Sequence, residues 1–341
     1  MSAIIVLVVI FALTFEFING FHDTANSIAT TVFTKALPIA WAIALAACMN
    51  FLGAFVSEGV AQTISKGLVS PAAPLDDYVI LAALIGAICW NLFTWWRGIP
   101  SSSSHALIGA LIGAAIAYYT VASGVLSVGV DGIMWDGLLQ KVVIPMLTSP
   151  IIGFALAFLV MKLIYKLFAS FDHRKTSKVF SRLQVVSAAA VAFAHGTNDA
   201  QKTMGIITLA LFTSGVLGDA AHIPFWVKLV CALAMALGTS AGGYRIMRTM
   251  GHGVTKLDSV KGFAAETSSA TVIQVMTALH APISTTQAIS AAVMGVGSAH
   301  RLSAVNWNKA KDILITWVVT LPASMALGAL FVLVIRFVFH V

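Results

Sequence analysis

Gly20-Phe21-His22-Asp23-Thr24-Ala25-Asn26 and Gly196-Thr197-Asn198-Asp199-Ala200-Gln201-Lys202 are near-copies of one phrase, each setting an Asp among almost wholly apolar flanks. An ionisable side chain at membrane depth costs several kcal/mol unless it is paired or wetted. The same cost at matching places of two chain halves is hard to explain by packing. The pair reads as an ion path.

The surrounding composition agrees. Of 341 residues 59% are hydrophobic and only 10% charged, against about a quarter charged in soluble domains. Apolar runs long enough for bilayer crossing recur along the chain, at residues 3–18, 38–56, 79–96, 105–122, 142–168, 184–195, 203–217, 225–244, 264–279, 287–299 and 312–339. The fold class expected is an all-α polytopic membrane protein. The first basic residue is Lys35, so Met1 to Phe15 lacks the charged region of a secretory leader and reads as a first transmembrane helix. Cys48, Cys89 and Cys231 each lie in apolar runs and offer neither a disulfide framework nor metal spacing. The formal charge of +7 is no sign of nucleic acid binding, because the basic residues form no stripe. Lys162, Lys166, Arg174, Lys175, Lys178 and Arg182 cluster with only Asp172 opposing them, which marks a cytoplasmic loop. Arg245, Arg248, Lys256 and Lys261 mark a second.

The halves match beyond the Asp phrases. Pro100-Ser101-Ser102-Ser103-Ser104-His105-Ala106 is answered by Pro282-Ile283-Ser284-Thr285-Thr286-Gln287-Ala288, and Thr148-Ser149-Pro150 by Thr320-Leu321-Pro322. The three echoes are offset by 176, 182 and 172 residues, so order is kept. The expected organisation is a first transmembrane repeat at 1–168, a basic cytoplasmic linker at 169–183 and a second repeat at 184–341. Broken apolar segments at matching places of two halves point to a transporter binding site.

If each Asp phrase opens a helix, Asp23 and Asn26 share a face, as do Asp199 and Lys202. The leading Gly permits a chain reversal and close backbone approach. Thr24 and Ser27 add hydroxyls in the first half, Gln201 and Thr203 polar groups in the second. Freed backbone groups with carboxylate and amide oxygens make a hard-cation or proton site; the alternative is that each Asp simply N-caps a broken helix. In the hydroxyl motifs a Pro suits the start of a half-helix, and orphan N–H groups beside Ser102, Ser103 and Ser104, mirrored by Ser284, Thr285 and Thr286, suit an oxyanion. The alternative is hydroxyls that only let helices pack and hydrogen-bond.

GFHDTAN and GTNDAQK, joined with PSSSSHA and PISTTQA, resemble the duplicated signatures of the inorganic phosphate transporter (PiT) family, in order and over essentially the full chain. The resemblance implies two inverted-topology repeats with broken helices and two re-entrant helical hairpins, whose hydroxyl tips meet near the midplane. It implies phosphate held by Ser102, Ser103, Ser104, Ser284, Thr285 and Thr286, and coupling ions at Asp23, Asn26 and Asp199. One departure matters: the second phrase ends in Lys202 where the sodium-coupled pattern NDxAN has Asn. An ammonium three residues from Asp199 can neutralise that carboxylate from within, and the NDxQK form looks like the proton-driven bacterial branch. Glu16, His22 and Glu266 are candidate proton relays, and His105 and Gln287, at equivalent positions, are expected to orient the hydroxyls. Gly109 and Gly113 form a helix-packing pair.

The function expected is phosphate import, alone or as a metal–phosphate complex, by proton symport through alternating access. Sodium coupling and a sulfate permease of the same fold are the nearest rivals, and an anion channel is the rival from another class. No nucleotide loop, metal-ligand cluster or nucleophile–base set supports an enzyme. No cofactor is expected; the partners are phosphate, protons or sodium, the lipid bilayer and, compatibly with the chain, further copies of itself. The place expected is the plasma (inner) membrane of a prokaryote.

Overall fold

The computed structural model describes residues 2–67, 76–243, 246, 247, 249 and 253–339. Arg245 and Arg248, half of the second basic group, lie outside them. The described residues are helical and form no sheet: α1 (Ala3–Phe33), α2 (Ile39–Gly53), α3 (Gly59–Gly67), α4 (Asp77–Arg97), α5 (Ser103–Ser123), α6 (Leu126–Asp131), α7 (Trp135–Leu138), α8 (Ile144–Leu167), α9 (His173–Thr213), α10 (Phe225–Ala241), α11 (Ser259–Ala278), α12 (Thr285–His300) and α13 (Trp307–Phe339). A π-helical turn, Leu139–Val143, joins α7 to α8. Among the described residues six helical segments are long and apolar enough to cross a bilayer: Ala3–Phe33, Asp77–Arg97, Ser103–Ser123, Trp135–Leu167, Arg174–Thr213 and Trp307–Val338.

Polar punctuation sets the boundaries. Asp76, Asp172 and Asp258 cap α4, α9 and α11, their carboxylates accepting from the amides of Tyr78 (3.2 Å), Lys175 (2.9 Å) and Lys261 (2.9 Å). The basic segment expected as a linker is therefore helical from His173 onward, and Asp172 starts it. At 1.5 Å per residue α9 is about 60 Å long, twice the hydrocarbon thickness, so its basic first turns continue past the apolar stretch.

The Asp phrases do not open helices. Both lie in the interior of long ones, α1 and α9. Their glycines serve close approach instead of chain reversal. A Cβ on Gly20 would sit 2.5 Å from Met235 O of α10, and one on Gly238 of α10 would strike Phe17 O of α1. The other half repeats this: Gly196 of α9 meets Asn50 O of α2, and Gly53 of α2 meets Phe193 O of α9. Phe17 and Phe193 keep the same 176-residue offset as the Asp residues. Each phrase is thus pressed against the second helix of the opposite half, α10 or α2. Pro150 and Pro322, the prolines of the third echo, lie inside α8 and α13. Gly109 and Gly113 pack α5 onto Leu321, Ser324 and Met325 of α13.

Candidate functional site

The two hydroxyl motifs form matching turns between helices. α4 ends in left-handed Gly98 (φ 66°) and α11 is followed by left-handed His280 (φ 60°). Ile99 N donates to Thr94 O (2.9 Å), and Ala281 N to Met276 O (3.0 Å), closing the same six-residue loop in each half. Pro100 and Pro282 lie in the turns, two residues ahead of the caps and so outside the first helical turn where they were expected. Ser102 Oγ then caps α5 by accepting from His105 N (3.1 Å), and Ser284 Oγ caps α12 by accepting from Gln287 N (3.3 Å). The amides of Ser103, Ser104, Thr285 and Thr286 come next, at first-turn positions with no intrahelical acceptor.

The tips meet. Ser104 donates to Ile283 O (3.0 Å), and Gln287 Nε2 lies 3.1 Å from His105 Nδ1. His105 and Gln287 bond each other across the halves behind the hydroxyls, at the edge of an apolar cavity of about 740 Å³ between α5, α8, α12 and α13.

The tip hydroxyls are spent on the Asp phrases in a reciprocal pattern. Ser103 donates to Asp23 Oδ2 (2.9 Å) and its counterpart Thr285 to Asp199 Oδ2 (3.0 Å), each within its own half. The next hydroxyl crosses over: Thr286 donates to Asp23 Oδ1 (3.1 Å), and Ser104 accepts from Lys202 Nζ (2.5 Å). Lys202 also pairs with Asp199 Oδ1 and donates to Ile283 O (2.7 Å), so the ammonium joins α9 to both tips. His22 Nδ1 is 2.7 Å from Asp23 Oδ1, and its Nε2 3.1 Å from Thr94 Oγ1. All of these side chains except Gln287's partner His105 (8%) are no more than 3% exposed.

His195 completes the cluster and was not singled out from the sequence. Its Nε2 is 3.2 Å from Asp199 Oδ2, and its Nδ1 3.1 Å from Asn50 Oδ1. Ligand-type atoms of Asp23, His195 and Asp199 lie within 4.8 Å of one another, a spacing open to one small cation. The signal was present: His195 precedes Asp199 by one helical turn, where the repeat offset puts Asn19 in the first half.

Other expected residues are placed elsewhere. Gln201 does not join the site; its Oε1 accepts from the amides of Val60 (2.8 Å) and Ala61 (3.3 Å) and so caps α3. Thr24 bonds Gly20 O and Thr239 Oγ1 (2.9 Å) at the α1–α10 contact. Asn26 and Ser27 fall in α1, their side chains outside the described residues. Glu16 is buried beside the site, where Thr203 donates to its Oε2. Glu266 is separate: its carboxylate accepts from Thr30 (2.5 Å), Thr31 (2.7 Å), Gln184 (3.1 Å) and Ser187 (2.5 Å), tying α11 to α1 and α9.

Two helix N-termini and six buried hydroxyls, set against two carboxylates and one ammonium inside a bundle of apolar helices, define a polytopic membrane transporter. A family model described as the phosphate transporter family matches residues 19–328. The chain is 49% identical over 335 residues to a Bacillus subtilis protein named probable low-affinity inorganic phosphate transporter, covering 98% of each. It is 47% identical over 321 residues to a Rhizobium meliloti protein of the same name, covering 94% of this chain and 92% of that one. A solved structure described as the sodium-dependent phosphate transporter matches with a TM-score of 0.88 at 27% identity, over 98% of this chain and 100% of that one. The chain belongs to the phosphate transporter family and is an integral membrane protein.

Proposed function

We propose that this protein imports inorganic phosphate by proton symport through alternating access, with phosphate taken up by the hydroxyls of the two tips. The observation that carries this reading is where those hydroxyls now point. A hydroxyl has a single hydrogen to donate. Ser103 and Thr286 spend theirs on Asp23, and Thr285 spends its own on Asp199. If phosphate takes those hydrogens, Asp23 loses two donors, each worth about 1.5–3 kcal/mol to a charged acceptor. A buried carboxylate stripped in this way needs a proton or a cation. Asp199 needs none, because Lys202 stays paired with it. Phosphate and a positive charge at Asp23 therefore favour each other's binding, which is what symport requires.

Lys202 favours the proton over sodium: the ammonium supplies one of the positive charges that a sodium-coupled member takes from solution. His22 lies beside Asp23 and can pass or hold a proton. Sodium is the second reading, favoured by the convergence of Asp23, His195 and Asp199 and by the name of the solved relative. Residues 1–168 and 184–341 act as inverted repeats on this reading, the α4–α5 and α11–α12 turns are the tips of re-entrant hairpins, and the basic end of α9 faces the cytoplasm. The reciprocal pairing of each tip with the Asp phrase of its own half supports it. Phosphate uptake into proteoliposomes, driven by an imposed pH gradient in sodium-free buffer, tests the proposal. Strict sodium dependence would sink it, and labelled uptake competed equally by sulfate would sink the choice of anion.

A further inference from the structure

Glu16 and Asn19 lie three residues apart on one face of α1, at 0% and 2% exposure. Thr203 of α9 donates to Oε2 of Glu16, and the Asn19 amide lies against the same carboxyl. Among the described residues, Oε1 of Glu16 and Oδ1 of Asn19 have no hydrogen-bond partner. A buried carboxyl oxygen without a donor, beside a neighbouring side chain whose own oxygen also lacks one, is an arrangement that a bound hydrogen relieves. A hard metal ion would take about six oxygens, and only two stand free here.

The groups facing this carboxyl make its charge matter. Asp199 and Lys202 of α9 lie within range of its charge, and the Cys231 thiol of α10, kept neutral, lies near it. Lys202 is the residue next to Thr203, and its ammonium reaches the tips through Ser104 and Ile283. With Glu16 ionised, the set Glu16, Asp199 and Lys202 carries one net negative charge beside the hydroxyls that would receive an anion. With Glu16 neutral the set carries none. The repeat gives no counterpart: Ala192 stands where Glu16 would be, and His195 where Asn19 would be.

We infer that Glu16 carries a second coupling proton on its unpartnered Oε1, in addition to the positive charge taken up at Asp23. This rests on the proton-symport reading above. The proton is taken from water on the outward-open side, removes the negative charge that would repel phosphate, and is returned to water on the inward-open side after phosphate leaves.

The test uses the full-length protein in proteoliposomes with a pH-sensitive dye inside and labelled phosphate outside. The unaltered protein first decides the parent reading. Internal acidification that accompanies phosphate entry without sodium upholds it, and none overturns it whatever Glu16 does. With acidification established, Glu16→Gln is expected to lower the number of protons moved per phosphate and, with it, the accumulation driven by the pH gradient. Phosphate–phosphate counterflow, which needs no net proton movement, should remain measurable. Glu16→Asp, which keeps an acid, should restore part of the gradient-driven uptake, which a merely structural role for the glutamate would not explain. An E16Q protein that still accumulates phosphate with undiminished proton movement would overturn the inference. If E16Q does not fold, Asn19→Leu serves. It removes the acceptor and should alter the pH profile of uptake, and an unchanged profile would overturn the inference equally.

Discussion

Replacing Lys202 by Met keeps an unbranched side chain one atom shorter and removes its charge, and the structure says what that costs. The ammonium pairs with Asp199 Oδ1, donates to Ser104 Oγ at 2.5 Å and to Ile283 O at 2.7 Å, and is 3% exposed. Removing one partner of a buried ion pair costs about 3–5 kcal/mol, because the other charge is left uncompensated. At 1.4 kcal/mol per decade that is roughly two to three and a half decades. The loss falls on the state in which both tips are docked on α9, since two of the three acceptors belong to the tips. Initial phosphate uptake in sodium-free proteoliposomes is therefore expected to fall by about two decades or more. Asp199 is then a carboxylate seeking a cation, with His195 and the hydroxyl of Thr285 still beside it. Added sodium should recover part of the uptake in Lys202→Met while leaving the unaltered protein unaffected. Uptake in sodium-free buffer equal to that of the unaltered protein would refute the reasoning, since it would show the ammonium to be dispensable.

Asp23→Asn and Asp199→Asn should each abolish uptake while the protein keeps its helical circular-dichroism spectrum; undiminished uptake in either variant removes that residue from the mechanism. Gly20→Ala places a methyl about 2.5 Å from the Met235 carbonyl, an overpacking expected to cost about 1–3 kcal/mol and to lower the melting temperature in detergent. Glu266→Gln gives up an acceptor for Ser187 or Gln184 and should destabilise by about 1–3 kcal/mol, read by the same melting assay, with a drop in uptake no larger than the loss of folded protein. A selective loss of uptake at full stability would instead place Glu266 in the proton path.

Much of this was legible in the chain. The apolar runs at 79–96, 105–122 and 225–244 correspond closely to α4, α5 and α10 because their ends carry residues with local chemistry: Asp76 caps, and Gly98 and Gly242 adopt positive φ. The pairing of Asp199 with Lys202 followed from three-residue spacing on a helix. What misled was glycine. Gly20 and Gly196 are equally suited to breaking a helix and to letting two helices touch, and local sequence does not distinguish these. Only the approach of α10 and α2 decides it, a contact made by residues well over a hundred positions away. Gln201 misled in the same way, since its side chain leaves the phrase to cap α3. His195 was passed over because one imidazole in an apolar run has many packing explanations until the opposite carboxylate is seen 3.2 Å away.

The halves agree in scaffold and disagree in charge, and the disagreements collect in one place. Ser103 and Thr285 each donate to the Asp of their own half, and Ser102 and Ser284 each accept from a backbone amide as caps, so these two pairs do the same work in both tips. Around them the second phrase has Lys202 where the first has Asn26, and the first has Glu16 where the second half has Ala192. One half therefore carries a permanent positive charge and the other a removable negative one. A scaffold with two fixed ammonium groups would hold phosphate without needing an ion from solution, and one with none would need an ion at each Asp. The mixed arrangement on the proposed reading leaves Asp199 permanently neutralised and makes occupancy of the hydroxyls depend on protons reaching the first half alone. Coupling then follows from where the charges differ, while the bonds of Ser104 to Ile283 O and of Gln287 to His105 keep the two tips docked on each other.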